Sequence, residues 1–86
     1  MKELKYYYDE ENEILSAYHR ETDFFAQYFP QKGHWEMSKI SFVEFRHSYN
    51  YKWISEEEAS EISNGVVPDA LYEEYIRMIK SNATPF

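Results

Sequence analysis

The sequence predicts an α+β fold, in which an antiparallel sheet of three to four strands packs against two to three C-terminal helices. The first observation behind this prediction is a period of two in the apolar residues of 3–38, which half-buried strands require. The second is a change to helical spacing after residue 41, where the helical segments also begin with capping residues. No linker or low-complexity tract divides the chain, so we expect one small domain over 1–86.

Two β-hairpins are predicted, and the first covers residues 3–20. Its outgoing strand alternates between two faces, with Leu4, Tyr6 and Tyr8 on the same one. A polar turn follows, in which Asn12 is suited to a left-handed conformation. The chain then returns as the second strand, so this segment forms the first half of the sheet.

The second predicted hairpin has residues 24–29 as its outgoing strand and 34–38 as its return strand. The turn between them, 30–33, begins with proline and ends with glycine, which fits a type I turn closed by a left-handed residue. Trp35 lies in the return strand and is expected in the core. Residues 22–29 also fit a short helix, because their aromatic pairs recur at helical spacing, but we favour the strand.

The three helices are expected to cover one face of the sheet. They are predicted over 41–48, 55–63 and 68–80. Ser41 with Glu44, and Ser55 with Glu58, each have the spacing of a capping box, in which side chain and backbone satisfy each other at a helix start. The two short helices are joined by an aromatic link over 49–53.

The boundary between the second and third helices is marked by Asn64 and Gly65, which favour a left-handed helix end. Pro68 then suits the first turn of a helix, where its missing N–H is not needed. The third helix carries a wide apolar stripe. Its members are Leu71, Tyr72, Tyr75, Ile76 and Ile79.

The net charge of −7 comes from one part of the chain. Residues 53–76 contain seven acids and no base, whereas the remaining positions hold nine acids and nine bases. Nucleic acids and anionic membranes attract Lys and Arg patches, so we expect neither as a direct partner. A protein with a basic surface is the expected partner, and a homodimer is the alternative.

The candidate partner-binding residues combine this charge with aromatic contact area. They are Glu56, Glu57, Glu61, Glu73, Glu74, Tyr49, Tyr51 and Tyr72. Acids in a helix's first turn also stabilise the helix through its dipole, by about 0.3–1 kcal/mol each, which accounts for residues 56–58 without any partner. Most other aromatics, Trp53 among them, are expected in the core, because the chain has few other large apolar residues.

Motifs for catalysis, metal binding and cofactor binding are missing from the sequence. There is no cysteine, and His19, His34 and His47 lack the close spacing of zinc ligands. No serine lies in a nucleophile elbow, and neither glycine lies in a phosphate-binding loop. We therefore expect a protein that is not an enzyme and that uses no cofactor or metal.

Size and acidity are shared with toxin-immunity proteins and phage-encoded inhibitors, which is an analogy of class only. The functional expectation is accordingly a small acidic protein-binding module, of inhibitor or immunity type, that docks an acidic helical face on a basic surface. The alternative is a structural or self-associating domain whose acids maintain solubility. The charged N-terminus lacks the apolar core of a signal peptide, so we expect a cytoplasmic location.

Overall fold

A computed structural model describes residues 3–83 and confirms the α+β fold. The strands are β1 (Lys5–Asp9), β2 (Ile14–His19), β3 (Phe24–Phe29), β4 (His34–Met37) and β5 (Lys52–Ile54), and the helices are α1 (Phe42–Ser48), α2 (Glu56–Ile62) and α3 (Asp69–Ala83). The strands form one antiparallel sheet in the order β4-β3-β2-β1-β5. Both predicted hairpins are present, and residues 24–29 are a strand rather than a helix.

The sheet has five strands instead of the predicted three to four. The additional strand, β5, comes from the segment that we predicted to be a link between helices. It pairs with β1, so that Trp53 lies opposite Tyr7 and Ile54 lies opposite Tyr6. Three residues are too few to display a period of two, and their partner strand is more than forty positions away, so local spacing does not reveal this pairing.

The three tight turns share one design. Each joins two strands through four residues and has positive φ at the fourth, with 54° at Glu13, 60° at Asp23 and 73° at Gly33. The left-handed residue of the first turn is therefore Glu13, and the prediction of Asn12 is wrong. Asn12 instead donates hydrogen bonds from its backbone and side-chain nitrogens to the buried Asp9 carboxylate, at 3.1 and 2.8 Å.

Helices lie on both faces of the sheet, whereas we expected them on one. Tyr7 of β1 and Phe25 of β3 lie on one face, where both rings contact Phe42 of α1. Their neighbours along the strands point the other way and pack against α2 and α3. The sheet is therefore a central layer with aromatic residues on each side.

Trp35 joins the sheet to the segment between α2 and α3. Ala17 and Ala26 occupy the two central strands beside it, and their small side chains let the Trp35 indole approach Tyr6 of β1, with ring centroids 6.4 Å apart. The indole Nε1–H donates a 2.8 Å hydrogen bond to the Val66 carbonyl. Trp35 is buried, as predicted.

Phe45 is the centre of the aromatic packing on the opposite face. Its side chain is fully buried, with ring centroids 5.1–6.5 Å from five other rings. These belong to Tyr7, Phe25, Phe42, Tyr49 and Tyr51. Since α1 has only seven residues, these contacts rather than helix propensity account for its stability.

The helix ends follow the predicted capping. Ser55 and Glu58 form the complete predicted capping box, whereas of the box predicted at Ser41 only one half is present, the hydrogen bond from the Glu44 N–H to the Ser41 hydroxyl. The end of α2 is a Schellman motif, in which the Gly65 N–H donates to the Ser60 carbonyl at 2.8 Å. Helix α3 begins one residue after Pro68, whose carbonyl accepts its first helical hydrogen bond, from the Tyr72 N–H.

We predict that Ser55→Ala lowers the free energy of unfolding by about 1 kcal/mol, because the hydrogen bond from the Glu58 N–H to the Ser55 hydroxyl is lost. Urea melts of both proteins measure the change. Ser60→Ala, an exposed position in the same helix, is the matched control and should leave the midpoint nearly unchanged. Equal effects of the two substitutions would show that the cap does not stabilise α2.

Candidate functional site

Seven carboxylates lie on α2 and the first half of α3. We call them the acidic surface: Glu56, Glu57, Glu58, Glu61, Asp69, Glu73 and Glu74. All seven are exposed, and the two helices carrying them pack on the same face of the sheet. The fold therefore gathers the net charge of the chain on one side of the molecule.

Local helix chemistry explains part of this surface. The Glu58 side chain accepts a hydrogen bond from the Ser55 N–H and so serves the capping box. Glu56 and Glu57 lie in the first turn of α2, where the helix dipole favours negative charge. Glu61 and Glu73 have no such role, and within residues 3–83 no ion pair reaches either of them. These carboxylates are available to an external cation.

The electrostatic influence of the acidic surface reaches the core through Tyr6. Burial, followed by the nearby charges of Glu56 and Asp69, raises the pKa of the Tyr6 phenol to about 12. Only 8% of Tyr6 is exposed, and its ring packs among the core residues beneath α2. The phenol therefore keeps its proton beneath the carboxylates at alkaline pH values where an ordinary tyrosine loses it.

The three candidate tyrosines do not lie together. Tyr72 is half-buried on α3, with its ring edge-on to Phe24 at 5.2 Å. Tyr49 and Tyr51 pack against Phe45, at 5.3 and 5.1 Å, on the opposite face of the sheet. Tyr72 therefore lies on the same face of the sheet as the helices that carry the five candidate glutamates, whereas Tyr49 and Tyr51 belong to the α1 packing on the other face.

Trp53 is the surface aromatic that sequence reasoning missed. We predicted it in the core, but Trp53 is 69% exposed on β5, the last strand of the sheet. The Lys5 Nζ lies 5.0 Å from the centroid of its ring. Its neighbour Ile54 is buried, and alternation in a strand requires adjacent side chains to point to opposite faces. Ile54 directly precedes the Ser55 cap, where an apolar residue commonly packs inward, so its position was a usable signal that Trp53 points outward.

Elsewhere, the described surface carries an exposed ion pair but no cluster of metal-binding side chains. Lys52 and Glu10 form an exposed ion pair beside Tyr8 and Tyr51, and the Glu10 carboxylate raises the pKa of Lys52. Across residues 3–83, no three His, Asp or Glu side chains are grouped closely enough to hold a metal ion. The acidic surface and Trp53 thus present exposed charge and an exposed aromatic ring, respectively.

In comparisons with known proteins, no family model matches this chain, and no curated protein or solved structure is significantly similar to it. No helix within 3–83 is both long enough and apolar enough to cross a membrane.

We predict that stability falls as pH rises from about 10 to about 12, because the folded protein keeps the Tyr6 proton that the unfolded chain loses near 10.0. The contribution of Tyr6 is on the order of 2–3 kcal/mol. Urea melts at several alkaline pH values should show a shallower decline for Tyr6→Phe. Some decline in the stability of the variant persists at alkaline pH, because burial also raises the pKa values of Tyr7, Tyr18 and Tyr75. Identical slopes for both proteins would contradict this assignment.

Proposed function

We propose that this protein is a small non-catalytic protein-binding module, of inhibitor or immunity type, that acts in the cytoplasm by docking its acidic surface on a basic partner. The observation that carries the proposal is the position of Glu61, Glu73 and Glu74. They are exposed on the side of the molecule that already holds the first-turn acids, and no ion pair within residues 3–83 reaches them.

Such an arrangement favours fast association with a basic protein. Carboxylates gathered on one side of a small molecule create a directional negative potential, which raises encounter rates with a positive surface and opposes encounters with a negative one. The same potential repels phosphate groups, which disfavours direct binding to nucleic acid. Charge repulsion among the acids costs some stability, so a partner that supplies bases relieves it.

We predict that changing Glu57, Glu61, Glu73 and Glu74 together to Gln slows association with the partner and leaves folding nearly intact. Surface substitutions of this kind usually cost less than about 0.5 kcal/mol each. The partner is first identified by affinity capture from the native cell extract with mass identification. Surface plasmon resonance then measures its association rate at low and high salt, where the difference between wild type and variant should shrink as salt rises.

The matched control removes the same number of charges from exposed positions elsewhere. It changes Glu11, Glu13, Glu21 and Glu44 to Gln. We expect association with this control to stay close to the wild-type rate. If the acidic-surface variant also associates at the wild-type rate at low salt, the acids only maintain solubility and the docking proposal is wrong.

A homodimer is the second candidate, and one feature of α3 favours it. Beyond the part of the helix that packs on the sheet, Met78 and Ile79 are 58% and 38% exposed. Association of two copies through these side chains would bury apolar area and depend little on salt. Analytical ultracentrifugation at low and high salt separates the candidates, because a concentration-dependent dimer insensitive to salt supports self-association.

A further inference from the structure

The end of α2 places an asparagine directly before a glycine, at Asn64 and Gly65. Both residues are exposed, and apart from the chain neighbours nothing lies within 4 Å of the position that a Cβ on Gly65 would occupy. Within residues 3–83, no hydrogen bond holds the Asn64 side-chain amide. Solvent therefore reaches both the amide and the backbone nitrogen that follows it.

The reaction open to such a pair is deamidation, in which water is the only co-reactant. The Gly65 backbone nitrogen gives its proton to solvent base and bonds to the Asn64 side-chain carbon, Cγ. The Cγ–Nδ2 bond then breaks, the nitrogen takes up a proton and leaves as ammonia, and a five-membered cyclic imide remains. Water opens this ring at either carbonyl. The products are aspartate and isoaspartate, in which the main chain runs through the side-chain Cβ.

The folded structure withholds the attacking nitrogen. The Gly65 N–H donates to the Ser60 carbonyl at 2.8 Å in the Schellman motif, so the proton that must leave is held. Asn64 itself is fixed in the left-handed conformation, with φ of 54°. The following residue is also fixed, because the Trp35 indole donates to the Val66 carbonyl at 2.8 Å. The nitrogen is therefore released only when the end of α2 opens.

The other asparagines of the chain lack this combination. Asn12, Asn50 and Asn82 precede glutamate, tyrosine and alanine, whose side chains hinder attack by their backbone nitrogens. Asn12 is restrained further, since its side-chain amide donates to the buried Asp9 carboxylate at 2.8 Å. Asn64 is thus the asparagine at which sequence and exposure both favour the reaction.

We propose that Asn64 is a deamidation site whose reaction is controlled by opening of the α2 C-terminus. Aspartate at this position adds one carboxylate beside Glu61 of the acidic surface, one helical turn earlier in the chain. Isoaspartate instead lengthens the main chain by one carbon between α2 and the segment that Trp35 holds, which disrupts the Schellman pairing. This inference is independent of the proposed function and needs no partner.

The test incubates the full chain at neutral pH, folded and in guanidinium chloride, and then digests it briefly with trypsin. Cleavage after Lys52 and Arg77 yields the peptide 53–77, in which Asn64 is the only asparagine. Mass spectrometry follows the replacement of its NH2 by OH, and native-state hydrogen exchange measures the open fraction at the Gly65 N–H. We expect the folded protein to react about tenfold or more slowly than the unfolded chain, by the factor that this open fraction gives.

Trp35→Phe keeps a ring but removes the hydrogen bond to Val66, so it should speed the reaction of the folded protein about two- to tenfold. Trp53→Phe is the matched control, because that ring is exposed on β5, and it should leave the rate unchanged. Amide spectra establish that both variants are folded. Equal rates in the folded and unfolded wild-type chain overturn the inference, as does an Asn64 that is unreactive in the unfolded chain. Wild-type reactivity in folded Trp35→Phe also overturns it.

The effect of the longer main chain is measured on the isoaspartate product, separated by chromatography. Asn64→Asp is its matched comparison, since it carries the same added charge on an ordinary backbone. We expect a lower urea midpoint for the isoaspartate form than for Asn64→Asp, because only the former loses the Schellman geometry. Equal midpoints would overturn the disruption that the proposal assigns to isoaspartate.

Discussion

The packing of the Trp35 indole across the sheet is the contact on which the remaining arrangement depends. Ala17 and Ala26 occupy the strands between Trp35 and Tyr6, and their small side chains leave the ring room to approach Tyr6 on β1. Its hydrogen bond to Val66 ties the segment between α2 and α3 to the sheet. Because that segment is held on this face, both acidic helices are held there too, and their charges combine into one surface.

The second constraint is that so short a chain covers both faces of its sheet. Seventeen aromatic residues make this possible, because each buries a large area and adjacent strand residues serve opposite faces. Phe45 is the centre of the packing on the face that α1 covers, and Trp35 has the same role on the opposite face. Tyr49 and Tyr51 are used in this packing, which is why they do not contribute to the acidic surface.

Under the proposed function, the acidic surface and the exposed Trp53 ring would act on a partner in different ways. The acidic surface acts over distance and loses strength with salt, whereas the Trp53 ring acts only on contact. Steering by charge affects the association rate of a partner, whereas burial of an aromatic ring affects its dissociation rate. Glu56 stabilises the start of α2 as a first-turn acid and also belongs to the acidic surface.

Local chemistry let the sequence determine the hairpins, the helix caps, the class of fold and the presence of the acidic stretch. Ser55 with Glu58, and Asn64 with Gly65, act over a few residues, so their roles can be recognised from spacing alone. Only the tertiary structure decided the pairing of β5, the two-sided packing, and the separation of Tyr49 from the glutamates. These depend on contacts between residues distant in the chain, and a single exposed residue such as Trp53 has no period that distinguishes it from a core residue.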